Sequence, residues 1–416
     1  LTLLAHVNYF RVELIMKLPL DQMANLESEI LKCVRGHPGI SRVALARKLQ
    51  IAPSTVGNYV ARLSAEGFLM ESKNDVSEAG RPPTALWLNA EGGQFIGVDF
   101  EAQNIMAMAV DFSDTPVKHF HEKIESSDTV ADILKKIERA IGAVLPENAS
   151  RLLAIGVGVP GLVDAANGVA LHYRHISHWR NVGLTGPLAK KFGVPVYLEN
   201  CVRSMALAEM WYGQGRGEEN FVCIGIRTGI GAGIVAGGQL QRGDAHHAGE
   251  IGRWRLPWPT SSVSHYFEEP GEPKSADVEL EDVASVRAIL GALERARKAK
   301  QRTILSSESR PLVFADVVRA AQQRDTLTVQ IVEAAADVLG RAVGQLIFAL
   351  NPSRVIFAGP LTLLGDTLLH PLKERVEKIM GSYEADIPMI VNSTMGEFNG
   401  ALGAAALAVH QWKPAR

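Results

Sequence analysis

Ser54, Thr55, Asn58 and Arg62 fall on one face of a short amphipathic segment, and their side chains are of the kinds that read duplex DNA. Hydroxyl and amide groups near the start of a helix approach base edges, while a guanidinium reaches phosphate oxygens. On the opposite face Val56, Val60 and Leu63 recur at i, i+4 and i+7, the spacing of a buried stripe. Pro53 suits the first turn of this helix, although Ala52 before it is a poor cap. Lys32, Arg35, Arg42, Arg47, Lys48 and Arg62 all lie in the span 32–65, which holds no Asp or Glu. Such a run presents positive potential to a phosphate backbone.

The elements that must hold this face can be read on either side of it. Residues 22–35 form a first helix with Ile30, Leu31 and Val34 turned inward. Gly39 breaks the chain, and Ser41 caps a second helix through its hydroxyl. Val43, Ala46 and Leu49 are expected to bury in that helix, leaving Arg42, Arg47 and Lys48 outside. After the third helix, Phe68-Leu69-Met70 and Ala85-Leu86-Trp87-Leu88 read as two strands around a turn-rich tip, Gly80-Arg81-Pro82-Pro83. Arg81 at that tip stands where it can reach a neighbouring groove or phosphate. The pattern is a winged helix-turn-helix that presents its third helix to double-stranded DNA; an ordinary helical hairpin with a solvated basic face is the competing reading.

At 416 residues the chain is long enough for more than one core, with 47% hydrophobic and 21% charged residues and a formal charge of −2. That balance excludes a protein coated in basic residues and leaves room for a local basic patch. Cys33, Cys201 and Cys223 do not form a disulfide framework or a Cys-x-x-Cys metal knuckle. Neither a signal-peptide pattern nor a charge-free membrane span is recognised, so the expected location is cytoplasmic.

Beyond a boundary near 88–93 the chain alternates apolar strands and helices. Phe95-Ile96-Gly97-Val98-Asp99 is a buried strand ending in a carboxylate, followed by strands at 105–110 and 153–159 and a helix over 127–145. Further strands are expected at 195–198, 221–226 and 355–358. This is an α/β pattern of two lobes around a cleft. Gly156-Val157-Gly158-Val159-Pro160-Gly161 lacks the turn-to-helix entry of a dinucleotide fingerprint. Arg227-Thr228-Gly229-Ile230-Gly231-Ala232-Gly233 has the glycines to let backbone N–H groups approach a phosphate, but not the Lys-Ser/Thr ending of a P-loop. Either stretch can equally be a tight turn with no ligand.

Several segments together carry a family resemblance. Gly97-Val98-Asp99, Gly158-Val159-Pro160-Gly161-Leu162-Val163-Asp164, the stretch from Glu199-Asn200-Cys201 to Ala208-Glu209, and Gly249-Glu250-Ile251-Gly252 resemble the ROK family. Trp179-Arg180-Asn181-Val182, Thr228-Gly229-Ile230-Gly231-Ala232-Gly233 and Asn351-Pro352 extend the match over nearly the whole chain. That family groups bacterial sugar kinases with transcriptional repressors that add an amino-terminal winged helix. The resemblance implies a two-lobed actin/hexokinase-like (ribonuclease H-like) ATPase fold, with a sugar between the lobes. The domains expected are a winged helix-turn-helix with its amino-terminal arm over 1–90, and an effector-binding and oligomerisation domain over 91–416.

Set against the family's kinases, the chain departs at three places. Cys201 stands where the catalytic aspartate follows the Glu-Asn pair, and a neutral thiol is a poor base. Phe100 and Glu101 follow Asp99 where glycines and a phosphate-binding threonine are expected. No cysteine follows Gly252, so the family's zinc cluster is missing; His265, Glu268 and Glu269 imitate at most a fragment of one. Neither a catalytic residue, nor a metal, nor a cofactor is therefore expected. The effector residues implied are Asn200 and Glu250, with Arg253 in place of the family's histidine, suited to an acidic ligand group or to pairing with Glu250. His246 and His247 are placed to orient that loop, and the sugar-binding glutamate beyond the missing cluster is left unassigned.

The function expected is a DNA-binding regulator, a repressor of carbohydrate uptake or metabolism genes controlled by a sugar or sugar-derived effector. It would act as a homodimer or tetramer on a palindromic operator. The alternatives are a sugar kinase with an added DNA-binding domain, and a regulator with a vestigial pocket controlled by a protein partner.

Overall fold

The computed structural model describes residues 26–73, 84–148, 151–268, 276–381 and 386–414. The chain divides into two compact units at Gly92 and Gly93, and Trp412 groups with the amino-terminal one.

In the amino-terminal unit, helix α1 (Leu26–Gly36) buries Ile30, Leu31 and Val34. A two-residue strand β1 (Ile40–Ser41) leads into α2 (Arg42–Leu49), where the Ser41 hydroxyl accepts from the Ala44 N–H at 3.2 Å. Leu45 and Ala46 fill the core side of α2, whereas Val43 is 62% exposed, against the sequence expectation. The stripe is centred on Leu45, and a residue two positions away is rotated by about 200° to the far side of the helix. Gln50 closes α2 in the left-handed region with φ of 55°. Helix α3 (Pro53–Ala65) begins on Pro53 without a side-chain cap and buries Val56, Val60 and Leu63 completely. Strands β2 (Leu69–Lys73) and β3 (Thr84–Leu88) pair antiparallel, with β1 on the other edge of β3. Trp412 meets Phe68 edge-on, ring centroids 5.3 Å apart. The tip between β2 and β3, Arg81 included, lies outside the described residues.

The larger unit has two lobes, each on a five-stranded sheet. In the first, β4 (Gln94–Phe100) lies between antiparallel β5 (Asn104–Asp111) and parallel β7 (Leu152–Val159). Strands β6 (Pro116–Lys123) and β11 (Val196–Asn200) form the edges. Helix α4 (Val130–Ala143) starts on a capping box between Thr129 and Asp132 and turns Ile133, Ile137 and Ile141 onto the sheet. A three-stranded sheet of β8 (Leu162–Asp164), β9 (Val169–His172) and β10 (Arg180–Gly183), then α5 (Thr185–Phe192), complete the lobe.

Helix α6 (Cys201–Tyr212) leads to the second lobe. Its sheet runs β14 (Gln239–Gln241), β13 (Ile230–Ala236), β12 (Phe221–Ile226), β17 (Arg354–Ala358), β18 (Met389–Asn392), parallel from β12 onward. A ribbon of β15 (Arg255–Pro257) and β16 (Asp277–Glu279) is followed by α7 (Glu281–Ala284), α8 (Val286–Lys298), α9 (Phe314–Gln322), α10 (Thr326–Leu350) and α11 (Asp366–Met380). In the ribbon Leu256 is buried, and Trp254 and Trp258 pack beside it onto this lobe's core. The last helix, α12 (Asn399–Gln411), is rich in Ala and Gly and lies on α6, β4 and β7. It approaches so closely that a Cβ on Gly97 would stand 1.9 Å from the Ala401 carbonyl oxygen, and one on Gly156 1.8 Å from that of Ala404. The α/β reading of the sequence and its principal strands are those observed.

Candidate functional site

A cavity of about 350 Å³ opens between the lobes. Its walls are the turn after β7, the end of β9, the start of α6, the glycine-rich turn between β12 and β13, the loop carrying Glu250, and Glu281. Asn200, Glu250 and Arg253 all line it. Asn200 is also the cap of α6: its Oδ1 accepts from the N–H groups of Val202 at 2.9 Å and Arg203 at 3.1 Å, and its Nδ2 donates to the Gly161 carbonyl at 2.8 Å. One amide hydrogen is left for a ligand. Arg253 donates to Glu279 Oε2 at 3.2 Å, so the partner the sequence suggested, Glu250, is not the one it takes.

Glu250 is half-buried, and its carboxylate has no protein hydrogen-bond partner among the described residues. Burial pushes its carboxyl upward, with Glu281 adding to the rise and Arg203 opposing it. The loop bearing Glu250 is anchored from below by a buried charge network. Glu199, fully buried, accepts from Arg203 Nε and Arg242 Nε, each at 2.7 Å, and Arg203 Nη1 donates to the carbonyls of His246 and Ala248. Arg203, rather than the histidine rings, thus orients this loop; His247 lines the cavity.

Two cavity residues were missed in the sequence. Glu281 accepts the Ile230 N–H at 3.3 Å and is paired with Arg174, with His175 Nε2 at 3.7 Å. Burial alone would raise its carboxyl, but the His175 hydrogen bond and the Arg174 charge outweigh it and leave it lowered. Gly229 makes room for it, since a Cβ there would stand 2.9 Å from Glu281 Oε2. Arg227 is the other. Its Nη2 lies 2.6 Å from Asp99 Oδ2, and both side chains are buried. Asp99 and Glu101 more than offset the burial cost of this guanidinium and hold it charged. A cation directly after the all-apolar strand β12 was the available signal, because a charge carried into a core needs a partner there.

The cleft is altered differently from the sequence expectation. The Phe100 ring is buried in the first lobe's core, 4.8 Å from the Trp179 ring, because strand alternation turns it away from Asp99. Arg227 and Glu101, not Phe100, occupy the space beside Asp99. Cys201 is 6% exposed, and burial pushes its thiol up to about 12, so it stays protonated and a poor proton acceptor. No group of three or more His, Cys, Asp or Glu side chains suited to a metal occurs among the described residues. His265 stacks obliquely on Tyr266, and Glu269 lies outside the described residues.

On the amino-terminal unit Ser54, Asn58 and Arg47 are exposed and Thr55 is half-buried. Arg62 pairs with Glu27 and lies 4.8 Å over the Tyr59 ring; Arg42 pairs with Glu71. Two of the expected phosphate contacts are therefore bridged to carboxylates within the unit.

A winged helix-turn-helix unit joined to a two-lobed α/β unit, with a cavity lined by charged and apolar side chains between its lobes, defines a class, the DNA-binding proteins built on a sugar-kinase type of fold. The ROK family profile matches residues 95–411, and a winged helix-turn-helix DNA-binding profile matches 23–70. The chain belongs to the ROK family. It is 28% identical over 356 residues to a putative xylose repressor of Caldicellulosiruptor sp. (strain Rt8B.4), covering 84% of this chain and 86% of that protein. It is 32% identical over 287 residues to the glucokinase of Thermotoga maritima, covering 66% of this chain and 84% of the enzyme. The crystal structure of a ROK family transcriptional regulator, a homologue of the E. coli MLC protein, superposes with a TM-score of 0.73 at 24% identity, covering 93% of this chain and 95% of that one.

Proposed function

We propose that this protein is a sugar-responsive transcriptional repressor without kinase activity. Residues 1–90 read a palindromic operator, and 91–416 bind the effector and a second copy of the chain, in the cytoplasm. No helix among the described residues is long and apolar enough to cross a membrane, which is compatible with that location. The effector is held by Glu250, the spare Asn200 amide hydrogen and Glu281, the last filling the role left unassigned in the sequence. The observation that carries the reading is the combination of an open Ser54–Asn58 face on α3 with a cleft in which Arg227 already occupies Asp99.

Phosphoryl transfer needs a base and a metal-nucleotide site, and in its absence the cavity is a receptor. The competing reading, a sugar kinase carrying a DNA-binding domain, draws on the glucokinase relatives. Against it stand the protonated thiol of Cys201 and the guanidinium beside Asp99. The test is a gel-shift titration of the full chain on its own upstream region, with and without candidate sugars. A retarded band at low salt that a sugar strengthens or releases supports the proposal; absence of duplex binding at low salt overturns it.

A further inference from the structure

We infer that the cavity takes a polyhydroxylated ligand without negative charge and turns away the phosphorylated or carboxylated forms of the same sugar. The inference rests on the effector reading above and narrows it. Most features of the cavity that suit an anion are already used by an acceptor of the protein. Arg227 is held by Asp99 through Nη2, although its buried Nη1 has no partner among the described residues. Arg174 is shared among Glu279, Glu281 and Asp282, and Arg253 is taken by Glu279. The N–H groups of Val202 and Arg203 at the start of α6, the usual place for a phosphate at a helix terminus, are closed by Asn200 Oδ1. In the glycine-rich turn the Ile230 N–H is donated to Glu281, and the Arg227 N–H to the Gly229 carbonyl.

What the cavity leaves open is the opposite kind of group. Glu250 has no hydrogen-bond donor among the described residues, and Glu101 Oε2 is buried without one. In the wall itself three arginines, Arg174, Arg227 and Arg253, stand against three carboxylates, Glu101, Glu250 and Glu281, which leaves no surplus of fixed positive charge for an anion. The upward push on the Glu250 carboxyl is how a carboxylate responds to desolvation and to a neighbouring carboxylate, Glu281, against the opposing pull of Arg203, Arg253 and His247. Ligand hydroxyls supply the missing donors at no charge cost, and a cavity of this size suits a small ligand. A phosphate would add negative charge beside carboxylates in a partly desolvated site, where like-charge contact is costly.

The test is calorimetric titration of the full chain with xylose, glucose and N-acetylglucosamine, and with glucose 6-phosphate, N-acetylglucosamine 6-phosphate and glucuronate. The expected result is binding of at least one neutral sugar, with its charged counterpart weaker by at least about 100-fold. A Glu250→Gln protein with an unchanged melting temperature should narrow that ratio by about tenfold or more. A charged form that binds within tenfold of its neutral parent, or an unaltered ratio in Glu250→Gln, overturns the inference and leaves the effector reading intact. Binding of none of the six compounds overturns both the inference and the proposal of a sugar effector.

Discussion

Arg227 and Asp99 meet across the two lobes, Nη2 to Oδ2 at 2.6 Å, with α12 sealing the pair at Gly400. Asp99 is the penultimate residue of β4 in one sheet, and Arg227 follows β12 of the other. A guanidinium at this point supplies fixed positive charge where a kinase of this fold would need a metal-nucleotide complex. Arg227→Ala would strand Asp99 as a buried, unpaired carboxylate, and we expect a loss of about 3–5 kcal/mol in urea denaturation. The double variant Asp99→Asn, Arg227→Met should be less destabilised than Arg227→Ala, because replacing both members of a buried pair removes the uncompensated charge. Equal losses in the two proteins would show that the pair contributes nothing specific.

The same pair bears on catalysis. Coupled assays with hexoses and amino sugars, ATP and magnesium are expected to stay at background for the natural chain. Cys201→Asp alone should not restore turnover, since Arg227 and Glu101 still occupy the space beside Asp99. A rate of about 1 per second, ordinary for an enzyme, in either protein would contradict this account.

For DNA, replacing Ser54 and Asn58 with Ala should erode discrimination between operator and unrelated duplex, at about 1–3 kcal/mol for a well-made base contact. Arg62→Ala should weaken all duplexes alike and lower the salt slope by about 1 if the side chain reaches a phosphate. Because Glu27 pairs with Arg62, Glu27→Gln should act in the opposite direction and tighten binding at low salt. Gel shifts across a salt series check all three.

Much of this architecture was legible because long periodic segments fix their own phase. Val56, Val60 and Leu63 span enough of α3 to determine its buried face, and all three are buried. Helix α2 is only two turns long, and Val43 was assigned inward because so short a run does not settle where the stripe is centred. The strands entering the cleft were readable from unbroken apolar runs. The partners of its charges were not, since Asp99 and Arg227, or Arg253 and Glu279, come together through sheet topology rather than local spacing. Glu281 escaped notice for the same reason: it joins the cavity through the Ile230 N–H and Arg174, both far from it in sequence.

Close packing of α12 gives a separate test of the fold. Gly97→Ala would drive a methyl carbon into the Ala401 carbonyl, which α12 cannot yield without leaving the sheet. Overpacking of this kind costs about 1–3 kcal/mol where neighbours can shift, and more against rigid backbone. The same change at Gly57, whose Cβ would meet nothing within 4 Å, should be neutral or stabilising, by up to about 1 kcal/mol for glycine to alanine within a helix. Melting temperatures that fall equally for the two variants would argue against the helix-on-sheet contact.

Folding without metal is the remaining expectation. A structural zinc contributes folding free energy, and its removal melts a domain that depends on it. Here the segment after Gly252 is held by other means: β15 pairs with β16, Leu256 is buried with Trp254 and Trp258 packed beside it, and Arg255 Nε donates to Asp277 at 2.9 Å. EDTA should leave the melting temperature unchanged, and elemental analysis of the purified chain should find well under one zinc per molecule. Leu256→Ala should lower stability by about 2–5 kcal/mol, the usual cost of emptying a buried leucine site. One tightly retained zinc per chain, with a large fall in melting temperature on chelation, would mean that metal, rather than this apolar anchor, holds the segment next to Glu250.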